Sequence, residues 1–132
     1  MISKPASEMT AEDYLFRGLD HWFMVKDFSA ALADFDEAIR LNPEFVEVYN
    51  QRGQLRRVIG DYVGARADYS EALRLKPSYA NVHYNWGILC CDTADFEGAI
   101  THWETCAELG DESIALQMYI LWAKQQVTDN QK

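Results

Sequence analysis

At 132 residues, with 48% apolar and 25% charged side chains, the chain has the size and composition of one globular domain. Its net charge of −9 repels phosphate backbones and anionic lipid heads, and no apolar run approaches the roughly 20 residues of a spanning helix. Nucleic acid is therefore excluded as an expected partner, and so is membrane insertion.

Residues 1–10 carry no hydrophobic signal stretch and are expected to be a disordered N-terminal segment. The odd set of three cysteines, Cys90, Cys91 and Cys106, suits free thiols in a reducing compartment, so a cytoplasmic location is expected. Thr10, three residues before Asp13, forms a capping-box pattern that opens a helix over 11–24. On it Tyr14, Gly18, His21 and Val25 face inward, while Leu15, Leu19, Trp22 and Phe23 form a second apolar stripe. Asp27 caps a helix over 28–40. Two further helices are predicted over 46–59 and 62–74, with Gly60 at the corner, Asp61 as the cap and Pro77 closing the segment. A third pair spans 80–92 and 96–108, with Asp95 as the cap. Asp111 caps a last helix over 112–126, almost wholly apolar between Ile114 and Ala123, and 127–132 is a flexible tail.

The three pairs repeat every 34 residues. Asp27, Asp61 and Asp95 are so spaced, as are Ala31, Ala65 and Ala99; Phe35, Tyr69 and Trp103; and Ala38, Ala72 and Cys106. Gly18, Gly53 and Gly87 sit mid-helix, where glycine costs about 1 kcal/mol relative to alanine; close approach of the partner helix explains their recurrence. The pattern Tyr49-x-x-x-Gly53…Gly60-Asp61-Tyr62-x-x-Ala65-x-x-x-Tyr69-x-x-Ala72…Pro77 resembles the tetratricopeptide repeat. The resemblance implies an all-α fold: an α-α superhelix of three helix-turn-helix repeats, 11–43, 44–77 and 78–110, plus a capping helix 111–126, in a single domain 11–126. Four departures stand out. The first repeat has one residue more between Gly18 and Asp27, Arg56 replaces an apolar residue, Ala94 replaces the turn glycine, and Asp111 replaces the closing proline.

Charge is uneven along the repeats. Residues 11–43 carry seven acids and three bases, 44–77 five and six, and 78–110 five acids and no base. Electrostatic cementing between neighbouring repeats is one reading, and a basic spot for an acidic peptide is the other. No catalytic or metal-ligand spacing is present. His83 takes the place of Tyr49 as a core or near-core residue, and Asp34–Asp36 and Glu12–Asp13 fall on solvated helix faces. The expectation is no enzyme, no metal and no cofactor.

In the family the first helices of successive repeats line a concave groove for an extended peptide or a helix. The resemblance therefore implies partner-binding positions at Leu15, Leu19, Trp22 and Phe23 in the first repeat. The second contributes Asn50, Gln51, Gln54 and Arg57, and the third Asn81, Tyr84, Asn85 and Ile88. The amides can pair with a peptide backbone, or can merely solvate the helices. Family co-chaperones grip a C-terminal carboxylate with Lys, Asn, Asn, Lys and Arg; the matching positions here are Leu15, Leu19, Gln51, Asn81 and Asn85, with no cation, so chaperone-tail binding is not expected. The expected function is a non-catalytic protein-protein interaction module. The alternatives are a scaffold that self-associates through its apolar first and last helices, giving a homo-oligomer, or an accessory subunit of an enzyme with Cys90–Cys91 as a redox switch.

Overall fold

Seven α-helices account for most of residues 4–132, which the computed structural model describes, and no strand occurs among them. They are α1 (Ala11–Asp20), α2 (Phe28–Leu41), α3 (Val46–Val58), α4 (Tyr62–Leu75), α5 (Ala80–Asp92), α6 (Phe96–Glu108) and α7 (Ile114–Asn130). The packing falls into two units that part between Leu75 and Lys76. The first holds the pairs α1/α2 and α3/α4, joined where α2 packs on α3; the second packs α5 on α6 and α6 on α7.

Each pair closes where a glycine meets an aromatic ring. A Cβ on Gly18 would stand 2.6 Å from Phe35, one on Gly53 2.6 Å from Tyr69, and one on Gly87 2.2 Å from Trp103. The rings thus lie flush against the first-helix backbone, as the recurring glycines imply. Ala31, Ala65 and Ala99, all fully buried, keep the second helices equally close.

The turns share one geometry. Lys26, Gly60 and Ala94 occupy the same slot with φ of 62°, 87° and 58°, the left-handed region that terminates a helix. The caps follow as predicted: Asp27, Asp61 and Asp95 accept from the backbone N–H of Ala30, Gly64 and Gly98 at 3.0, 2.9 and 3.0 Å. The extra residue of the first repeat is absorbed just before this turn. There α1 stops at Asp20, and His21–Val25 widens into a π-turn rather than continuing the predicted helix to residue 24. The closing bond then spans one residue more. Asp27 N–H reaches His21 O, whereas Asp61 N–H reaches Arg56 O and Asp95 N–H reaches Cys90 O, all at 2.8 Å.

Three expectations are corrected at the ends. Residues 1–3 lie outside the described residues, but 4–10 are ordered: Ala6–Glu8 makes a 3-10 turn, Met9 is buried and Lys4 pairs with Asp13 at 3.1 Å. The capping box of Thr10 and Asp13 forms as read. At the far end Ser113, not Asp111, caps α7, because Asp111 turns its carboxylate onto the Ser113 N–H at 2.9 Å. With no Gly or Pro to stop it, α7 runs on to Asn130, so most of the supposed flexible tail is helical.

Inside the first unit two charged locks repeat. Arg17 grips Asp34 at 2.7 Å while His21 Nδ1 meets the other carboxylate oxygen at 2.7 Å. One repeat on, Arg52 grips Asp68 at 2.7 Å and Arg56 takes its second oxygen at 3.0 Å. Asp34 and Asp68 are buried, which corrects the expectation that Asp34 lies on a solvated face: a bidentate guanidinium compensates its desolvation. Arg56, the apparent departure, is the counterpart of His21. Arg52 also bonds Asp36 of the preceding repeat at 2.8 Å, so cementing between repeats is realised at this joint. The third repeat has no such lock. Trp86 replaces the arginine and His102 the aspartate; their rings stack at 4.6 Å.

Candidate functional site

The sequence of α5, Ala80–Asp92, has no charged residue before its last position, and α7 is apolar from Ile114 to Ala123 except at Gln117. One face of each helix suffices for packing on α6, so an apolar flank of each remains. On α7 the core face is Leu116 and Ala123, seven residues apart and fully buried. Met118, Tyr119 and Trp122, at i, i+1 and i+4, fall on another face.

These flanks enclose an open groove of about 570 Å³ within the second unit. Tyr84, Ile88 and Cys91 of α5 form one wall, Met118, Tyr119 and Trp122 of α7 the other, and Trp103 of α6 the floor. The walls are braced by ring contacts. Tyr119 lies 5.6 Å from Trp103 and 6.3 Å from Tyr84, and Trp122 meets Phe96 edge-on at 5.5 Å. Trp103 donates its indole N–H to the Tyr84 carbonyl at 3.0 Å, which fixes the floor. Large apolar groups remain open around it: Met118 is 62% exposed and Trp122 49%.

The site's ionisable groups are tuned toward inertness. Burial, then Asp92 and Asp95, pushes the Cys91 thiol up, and burial with Asp111 does the same to Cys106. Neither is an activated thiolate. Burial and then Tyr119 raise the Tyr84 hydroxyl. Behind the groove His102 is held neutral, its pKa lowered to about 4 by burial and then by His83. Its Nδ1 lies 3.3 Å from Nδ1 of His83, whose Nε2 reaches the Pro77 carbonyl at 3.4 Å. Tyr49 makes the equivalent bond to the Pro43 carbonyl at 2.8 Å, which is why histidine can stand in that slot. Among the described residues no group of three potential metal ligands occurs, and no helix is long and apolar enough to cross a membrane.

The structure brings Tyr84 and Ile88 into the groove, with Asn81 exposed on the same helix and Asn85 buried. In the first unit Gln51, Gln54 and Arg57 are half-buried on α3, and Asn50 is buried. The first-repeat stripe is corrected. Leu15 and Trp22 are buried in one cluster with Met9, and Leu19 packs against it, because the ordered segment before α1 supplies the apolar cover. Only Phe23 of that stripe remains exposed, stacked on Trp22 at 4.4 Å. Sequence reasoning did not single out Met118, Tyr119 and Trp122. Their i, i+1, i+4 spacing, set against the Leu116–Ala123 core face, was the available signal.

Comparison with known proteins fits this architecture. Residues 57–93 match the family model described as "TPR repeat". Among solved structures the chain is similar to the first TPR of Spaghetti (RPAP3) bound to HSP90 peptide SRMEEVD. That match has a TM-score of 0.83 at 16% identity over 90% of this chain and 94% of the other. The Sgt2 TPR domain from Aspergillus fumigatus gives a TM-score of 0.82 at 20% identity, covering 97% and 87%. MamA gives 0.71 at 21% identity, covering 78% and 60%. A search of curated proteins by sequence gives no match.

Proposed function

We propose that this chain, which has the tetratricopeptide-repeat fold and matches the repeat model over residues 57–93, is a non-catalytic interaction module whose second unit seats an apolar segment of a partner polypeptide between α5 and α7. The observation that carries this reading is the groove itself: an open, almost wholly apolar trough with rigid aromatic walls. Aromatic anchors of this kind dominate binding energy at protein interfaces, and each apolar side chain buried there is worth about 1.5–3 kcal/mol. The similar Spaghetti domain holds an HSP90 peptide in its structure. Here Leu15, Leu19, Gln51, Asn81 and Asn85, the positions where family co-chaperones carry a carboxylate clamp, hold no cation. The present chain is therefore suited to apolar anchors rather than to an acidic C-terminus. Asn81, exposed on α5, supplies an amide for backbone contacts outside the groove.

Selection of a displayed peptide library on the folded protein tests the reading. The expected outcome is peptides with bulky apolar residues that lose at least about tenfold in affinity for the Met118→Ser/Trp122→Ser variant, since both side chains are exposed and their loss spares the core. Peptides that bind the variant as well as the parent would remove the groove as the site.

A further inference from the structure

The groove is apolar, but its ends are not. Asp111 stands at the Tyr84 end: its carboxylate lies 3.8 Å from the thiol of Cys106, one helical turn beyond Trp103, whose indole N–H bonds the Tyr84 carbonyl. Asp92 and Asp95 stand at the Cys91 end: Asp92 follows Cys91 directly, and the Asp95 N–H bonds the Cys90 carbonyl at 2.8 Å. From Tyr84 to Cys91 the wall of α5 rises about 10 Å. Residues 76–132 contain eight acids and three cations, Lys76, Lys124 and Lys132. The cations are turned elsewhere. Lys76 sits over the Tyr79 ring at 5.1 Å and Lys132 pairs with Asp129 at 3.6 Å. Lys124 falls on the opposite side of α7 from Met118, Tyr119 and Trp122 by helical spacing.

We infer that the occupant of the groove is a basic amphipathic segment of another protein, with apolar anchors between two cationic positions about two helical turns apart. This rests on the proposed function and adds the chemistry of the partner. Carboxylates at both ends of an apolar trough fix the register of a cation–apolar–cation segment and repel an acidic one. A second copy of this unit is a poor occupant, because it would bring the same excess of acids against the same ends.

Two synthetic helical peptides of about 16 residues, identical in their Leu/Phe face but flanked by Lys in one and Glu in the other, test the inference by calorimetry on the full chain. The Lys peptide is expected to bind at least about tenfold more tightly than the Glu peptide and to weaken as salt rises from about 50 to about 500 mM. The Asp92→Asn/Asp111→Asn variant should close most of that gap, and Met118→Ser/Trp122→Ser should abolish binding of both. Equal affinity of the two peptides would overturn the cationic requirement while leaving the groove as a binding site. Binding of the Lys peptide that survives Met118→Ser/Trp122→Ser would overturn the inference as non-specific charge attraction. If neither peptide binds but display selection yields groove-dependent acidic or neutral ligands, the inference fails and the proposed function stands.

Discussion

The left-handed slot at each corner is where single residues matter most. Gly60 occupies it freely, whereas Lys26 and Ala94 carry a Cβ at φ of 62° and 58°, which crowds the following carbonyl. A Cβ added at Gly60 meets nothing nearby, so the strain at this slot is a backbone matter rather than a packing one. Ala94→Gly should therefore stabilise the chain by about 0.5–1 kcal/mol, after allowing for the added freedom of the unfolded state. Chemical denaturation of variant and parent measures this; a midpoint that falls would show that Ala94 is held by something other than the turn. The glycines of the helix interiors behave in the opposite sense. Gly18, Gly53 and Gly87 exist to admit a ring, and no backbone strain is involved.

Between elements, the three repeats solve one packing problem with two chemistries. Where α1 meets α2 and α3 meets α4, a buried aspartate is held by an arginine and a second side chain, His21 or Arg56. Where α5 meets α6, neutral rings stack instead. The pH dependence follows from the second solution. His102 has its pKa lowered to about 4 in the folded chain, against about 6.5 unfolded, by burial and by His83; Asp95 pulls weakly the other way. In that window the unfolded chain binds a proton that the folded chain refuses, so stability is fully present above pH 6.5 and is lost as pH falls toward 4. Thermal melts at pH 7 and pH 5 should show the parent losing more stability than His102→Phe, which keeps the stack without the proton. Equal losses would mean that His102 is solvated and titrates normally.

At the scale of the whole chain, the repeat was legible because its spacing encodes its geometry. Glycine, alanine and aromatic recur in register, and the caps fall where Asp27, Asp61 and Asp95 predict. The apolar excess of the last helix was legible as well, but not which of its faces stays open. That depends on Leu116 and Ala123 reaching α6, a tertiary fact. The groove positions assigned from family resemblance fared unevenly for the same reason. Leu15 and Trp22 are covered with help from Met9, in a stretch whose composition suggested no structure. The exposed side chains of α7, Ile114 at 74%, Met118 at 62% and Leu121 at 66%, also bear on self-association. The acid excess of residues 76–132 opposes pairing of copies at low ionic strength. Light scattering at about 100 μM protein, an upper range for a weak contact, is expected to give a monomer in dilute buffer. Any dimer should appear only as salt rises, the reverse of the dependence expected for a cationic peptide.

The π-turn at His21–Val25 has an evolutionary corollary. A tandem array keeps its phase only if an added residue is swallowed locally, and here one loop of backbone hydrogen bonding swells while Asp27 still opens the next helix on cue. The spot just ahead of the corner is thus a tolerated insertion point, and a lineage copying this module could lengthen or shorten it without shifting the frame of everything downstream.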